Sequence, residues 1–219
     1  KISNGKMRTK ALLTVAAALT AGVIGAQAQV YSVNIVGYVN QTLTGGGFTA
    51  VANPLDAGDN TLDALLGDIP AGSQVQLWNG AGFDIYNKTP FGAGWSPAEG
   101  ASVELPPGVG AFISLTGADM AKTWVGDVLT GDLSNPVPGG FSFKGNQAPV
   151  AGNADDLGLS AILAAGDQIQ KWNGAGYDIF NKTPFGAGWS PSVPEIAVGE
   201  GFFVVNNGAD TSWDQSFNP

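Results

Sequence analysis

Two short stretches of the chain carry residue types suited to holding a sugar. Gln74, Gln76 and Trp78 alternate, so in an extended strand they share one face and leave Val75 and Leu77 to the other. Gln168, Gln170 and Trp172 repeat the pattern against Ile169 and Lys171. An indole that stacks on a sugar ring, flanked by amides that bond its hydroxyls, is the chemistry such a stripe offers. Asp84 with Tyr86, and Asp178 with Phe180, alternate on the segments that follow and complete the candidate ligand surface. The same stripe serves equally as core packing, with the indoles capping apolar residues and the glutamines solvated. Trp95 and Trp189 close two Pro/Gly-punctuated loops that also hold Phe91 and Phe185, either as the rim of a binding groove or as a rigid structural corner.

Catalytic chemistry has little to work with. The chain has no histidine and no cysteine, which removes the commonest general base, the commonest transition-metal ligand and the thiol nucleophile together. A glycoside hydrolase needs two carboxylates roughly 5–10 Å apart. Asp84 and Asp178 supply one per repeated stretch; Glu99, Glu104, Glu195 and Glu200 lie elsewhere, and Glu99 and Glu104 do not align with the other two. A paired-carboxylate hydrolase therefore ranks below the non-catalytic readings. Oxygen-rich clusters at Asp56, Asp59, Asn60 and Asp63, and at Asn153, Asp155 and Asp156, have the ligand type for calcium but match no calcium-loop spacing, and turn and cap chemistry accounts for them. No metal and no cofactor is expected.

These residues sit in a duplicated framework. Trp78–Pro97 and Trp172–Pro191 are identical at 18 of 20 positions, and the two differences exchange Phe for Tyr and Tyr for Phe. Gly46-Gly47-Phe48 matches Gly139-Gly140-Phe141, and Gly108-Val109-Gly110-Ala111-Phe112 matches Gly199-Glu200-Gly201-Phe202-Phe203. The six tryptophans form three pairs: Trp78 with Trp172, Trp95 with Trp189, Trp124 with Trp213. A fixed repeat of this kind sets architecture before chemistry. Short apolar runs between many glycines and prolines predict strands and tight turns. Strands are expected at Gln74–Trp78 and Phe83–Asn87, joined by Asn79-Gly80-Ala81-Gly82, and again at Gln168–Trp172 and Tyr177–Asn181. Asp59 or Asn60 is expected to cap one helical turn carrying Leu62, Leu65 and Leu66, with a weaker counterpart between Asn153 and Leu163. Ile35, Trp124 and Trp213 align at a spacing of 89 residues, predicting three related strands with the middle one shared between two bodies. The expected fold is all-β: two homologous units of about 90 residues in a pseudo-twofold, sandwich-like arrangement.

The first residues read as a leader. Lys6, Arg8 and Lys10 precede an apolar run from Ala11 to Ile24, and Ala26-Gln27-Ala28 offers a cleavage site. The expected divisions are residues 1–28 as upstream residues and signal peptide, 29–121 as the first unit and 122–219 as the second. Beyond residue 28, five lysines face 18 acidic residues, a net charge of −13 without arginine. Phosphate binding needs a basic patch, so nucleic acid and anionic membrane surfaces are poor partners. No membrane span is expected in the mature chain.

The segments Gln29–Asn40, Phe48–Leu55 and Gly199–Val204 resemble exported, β-rich repeat proteins of environmental Gram-negative bacteria, and the likeness runs over essentially the whole mature chain. The resemblance implies export and a β-rich architecture, and brings no activity, cofactor or catalytic residue with it. The function expected from the sequence is that of a non-catalytic structural, surface or matrix/adhesion protein, exported by the general secretory route to the periplasm or the cell exterior, with other copies of itself as partners. The alternative is a bivalent carbohydrate-binding protein that uses the duplicated Trp hairpins on glycans.

Overall fold

The computed structural model describes residues 35–92, 94–186 and 188–219. The expected leader, its expected cleavage site and residues 29–34 lie outside the described residues. What is described is all-β, with two short α-helices and one 3-10 turn.

Two five-stranded antiparallel sheets carry the architecture. The first holds β2 (Phe48–Ala52), β3 (Gln74–Trp78), β4 (Phe83–Lys88), β5 (Trp95–Ser96) and β6 (Gly110–Ser114), in the spatial order β2-β6-β3-β4-β5. The second holds β9 (Gly140–Lys144), β11 (Gln168–Trp172), β12 (Tyr177–Lys182), β13 (Trp189–Ser190) and β15 (Phe202–Asn206), in the order β9-β15-β11-β12-β13. Strand for strand, the two orders correspond. Two further ribbons pair β1 (Val36–Leu43) with β7 (Met120–Asp127), and β8 (Gly131–Val137) with β16 (Thr211–Phe217). A short pair joins β10 (Gly152–Asn153) to β14 (Glu195–Ile196).

The ribbons bear on the expected division and on the expected shared strand. The division expected between residues 121 and 122 falls inside β7, which pairs along its whole length with β1. The middle strand is not shared either: Trp124 of β7 faces Val39 of β1, whereas Trp213 of β16 faces Asn135 of β8. The alignment of Trp124 back onto Ile35 arises because two partners in one ribbon carry the same apolar alternation.

The central strands β6 and β15 are buried on both faces, as three successive residues of each show. Ala111 and Ile113 point into a core with Val51, Val75, Leu62, Leu66 and Trp124, and Phe112 points the other way. Phe202 and Val204 enter a second core with Ile169, Leu159, Val137 and Trp213, and Phe203 points away from it. Alternation in a strand buried on both faces reads as a continuous apolar run. Phe112 and Phe203 meet, with Phe143, in a third cluster drawn from both sheets. Helix α1 (Leu62–Leu66) closes the first core with Leu62, Leu65 and Leu66; its cap is Thr61, whose side chain accepts from the Ala64 N–H, one residue beyond the expected Asn60. Helix α2 (Leu159–Ile162) is a single turn.

Candidate functional site

The repeated hairpins form where the sequence places them, because Asn79 builds their turn. Its side-chain oxygen accepts from the Ala81 and Gly82 amides at 3.0 and 2.9 Å, and its amide nitrogen donates to Asp84 at 2.9 Å. Gly80 takes the positive φ the turn needs, +96°. Asn173, Gly174 and Asp178 reproduce the arrangement, with Asn173 donating to Asp178 at 2.8 Å.

This turn fixes the cross-strand register, and the register splits the expected ligand surface. Gln74 faces Asn87, Gln76 faces Ile85 and Trp78 faces Phe83, so these share one face. Val75 faces Tyr86 and Leu77 faces Asp84, on the opposite face. Asp84 and Tyr86 therefore do not join Gln74, Gln76 and Trp78. The second hairpin divides identically: Gln168, Gln170 and Trp172 on one face, Asp178 and Phe180 on the other. Tyr86 packs against the first core and Phe180 against the second. Burial, with the Asp84 and Glu99 charges adding to it, pushes the Tyr86 phenol above its ordinary range.

Trp78 and Trp172 are half-buried, and each reaches into the opposite sheet. The Trp78 indole N–H donates to the Phe141 carbonyl of β9 at 2.9 Å, and the Trp172 indole N–H donates to the Phe48 carbonyl of β2 at 3.0 Å. Their rings follow the same reciprocity. Trp78 meets Phe83, Phe141 and Phe203 at 5.1, 6.4 and 5.4 Å between centroids; Trp172 meets Tyr177, Phe48 and Phe112 at 5.3, 6.5 and 5.6 Å. Five of the six contacts are edge-to-face, the arrangement aromatic quadrupoles favour. Phe143 stacks between Phe112 and Phe203 at 4.8 and 4.6 Å. Its counterpart in the first sheet is Ala50, which flanks the same cluster, so one large and one small side chain share the space where the sheets meet. Backbone bonds from Ala52 to Gly199 (2.7 Å) and from Gly145 to Gly108 (3.1 Å) tie the sheets reciprocally, and a Cβ at Gly145 would strike the Ala52 methyl.

Beside this cluster lies an open cleft of about 160 Å³, lined by Phe48, Gln76, Phe83, Phe112, Trp172 and Tyr177. It brings Gln76 of one expected stripe together with Trp172 of the other, which no reading of either hairpin alone provides. Gln74 lies behind Gln76 and accepts its amide. Gln168 and Gln170 bond each other at 2.7 Å. Burial raises the Tyr177 phenol above its ordinary range. The rings that sequence reasoning left unassigned, Phe48, Phe83 and Phe112, had a signal: each has an aromatic counterpart, in Phe141, Tyr177 and Phe203.

The loops after the hairpins separate their two aromatic residues. Trp95 and Trp189 are core residues, only 3 and 4 % exposed, and not a groove rim. The Trp95 N–H donates to Asp63 at 2.9 Å; the Trp189 N–H donates to Asp155 and Ser160 at 3.0 and 2.8 Å. Lys88 lies 4.7 Å from the Trp95 ring centre and Lys182 lies 4.9 Å from that of Trp189. Phe91 and Phe185 are each 80 % exposed. Both loops are locked alike: Thr89 Oγ1 and the Gly94 N–H donate to the Phe91 carbonyl at 2.9 and 3.1 Å, as Thr183 Oγ1 and Gly188 do to Phe185. Gly92 and Gly186 share a φ of +62°.

The acidic clusters serve turns. Asp56 accepts from Gly58 and Asn60, Asp59 from Thr61, and Asn153 from Asp155 and Asp156. Among the described residues no His/Cys/Asp/Glu group has the geometry to hold a metal ion, and no helix is long and apolar enough to cross a membrane. No protein-family model matches the chain, and neither a curated protein nor a solved structure matches it.

Proposed function

We propose that this chain is an exported, non-catalytic structural protein of a surface or matrix, which works by adhesive contacts with other copies of itself. One observation carries the reading: the most faithfully repeated segment of the chain ends twice in a loop with the same hydrogen bonds, and with a phenylalanine 80 % exposed at each. Binding residues are disproportionately carried on loops held by a rigid scaffold, and the same exposed ring recurs at the same place in both repeats. Two equivalent loops make the chain bivalent, which suits assembly. Light scattering on residues 29–219 over a concentration series tests this; mass should rise with concentration, and a strictly monomeric chain would contradict it.

A second reading, a glycan binder, is favoured by the meeting of Gln76 and Trp172 in one aromatic cleft. This cleft joins residues of both hairpins, whereas the sequence suggested one site per hairpin. A glycan array probed with the parent chain and with Trp172→Ala decides it: signal lost in the variant supports a sugar site, and a blank array with the parent removes it.

A further inference from the structure

Resting on the assembly reading above, we infer that Phe91 and Phe185 of one copy are the knobs that enter the cleft lined by Phe48, Gln76, Phe83, Phe112, Trp172 and Tyr177 on another. The knobs are the two most exposed large apolar side chains among those described. Their backbone is held by the Thr89 and Thr183 side chains, so little conformational freedom is lost when the ring is captured. The cleft has the matching size: about 160 Å³, where a dry apolar cavity of roughly 150 Å³ admits one benzene ring. Its chemistry matches as well. Five aromatic side chains and a single amide suit a phenyl ring, which needs edge-to-face neighbours, better than a sugar, which needs several hydrogen-bond partners.

A knob of one copy in the cleft of another makes a heterologous contact, which builds open chains wherever its rotation does not close a ring. Two knobs per copy add branch points. This is the contact geometry of a matrix.

A complementation experiment tests it. Phe91→Ala/Phe185→Ala keeps the cleft and removes the knobs; Gln76→Phe keeps the knobs and fills the cleft with its own ring. Each variant alone should stay small, with self-affinity down tenfold or more, about the worth of burying one phenyl ring. Mixed, they should form finite complexes, since the knobs of one find the clefts of the other. Independently of whether Gln76→Phe folds, millimolar N-acetylphenylalaninamide should disperse assemblies of the parent. Assembly that persists in the knobless variant, folded variants that do not complement each other, or assemblies dispersed by monosaccharides and not by the aryl amide would overturn the knob and cleft while leaving self-association standing. A parent that never assembles would instead overturn the assembly reading beneath it.

Discussion

All six indole N–H groups have an acceptor, and the acceptors sort the tryptophans by task. Trp124 donates to Gln41 and Trp213 to the Leu157 carbonyl, both at 2.6 Å, so they anchor the ribbons. Trp95 and Trp189 root the loops on Asp63 and Asp155. Trp78 and Trp172 clasp the sheets. Trp78→Phe or Trp172→Phe keeps most of the ring and loses the N–H donor, and each should cost about 1 kcal/mol in urea denaturation. Trp78→Ala removes the ring as well and should cost about 3 kcal/mol. If Trp78→Ala cost no more than Trp78→Phe, the indole would not be part of the clasp. Asp155 adds a pH dependence. Hydrogen bonds from Ser160 first, then from Trp189, and the charge of Lys182 hold its carboxyl below the ordinary carboxylate range, against the upward push of burial. Its folded pKa is thus depressed, so its stabilising contribution is complete above the unfolded value of about 4 and is lost as pH falls through the lower folded value. Thermal midpoints measured from pH 6 down to pH 2 should fall less steeply for Asp155→Asn than for the parent; parallel curves would contradict this role.

The hairpins were legible as elements. Asn-Gly turns and alternation gave β3 and β11 with the observed ends, Gln74–Trp78 and Gln168–Trp172. Their faces were legible within one strand and not across the pair, because the turn's backbone decides whether Asp84 or Phe83 lies beside the stripe. Asp84 and Asp178, counted in the candidate ligand surface, lie on the opposite face from the stripes. The partners of Trp78 and Trp172 were beyond reach for another reason: they are backbone carbonyls 63 and 124 residues away, and a carbonyl leaves no mark in the sequence. The shared position at Ala50 and Phe143 is a further property of the assembled sheets alone. Placing a second ring there with Ala50→Phe should overpack the cluster and cost about 1–3 kcal/mol, whereas Phe143→Ala should open a cavity at about 3–5 kcal/mol. Denaturant midpoints of the two variants check both signs; a neutral Ala50→Phe would mean that the cluster has room to spare.

At the scale of the molecule, the described chain holds two sheets of corresponding strand order through aromatic rings, two reciprocal indole bonds and reciprocal backbone bonds at Ala52 and Gly145. Coupling of this extent predicts one cooperative unfolding transition, with tryptophan fluorescence and far-ultraviolet circular dichroism changing together. Separate midpoints would show sheets that fold apart. Phe91 and Phe185 lie outside the clasp, on loops whose Trp95 and Trp189 are rooted in the two cores. The most direct measurement is the weight-average mass of residues 29–219, from nanomolar to high micromolar, beside that of Phe91→Ala/Phe185→Ala. The parent should grow with concentration while the double variant stays at monomer mass with unchanged circular dichroism. A flat parent, or a variant that grows equally, would contradict the claim that the repeated loops are the working surface of the protein.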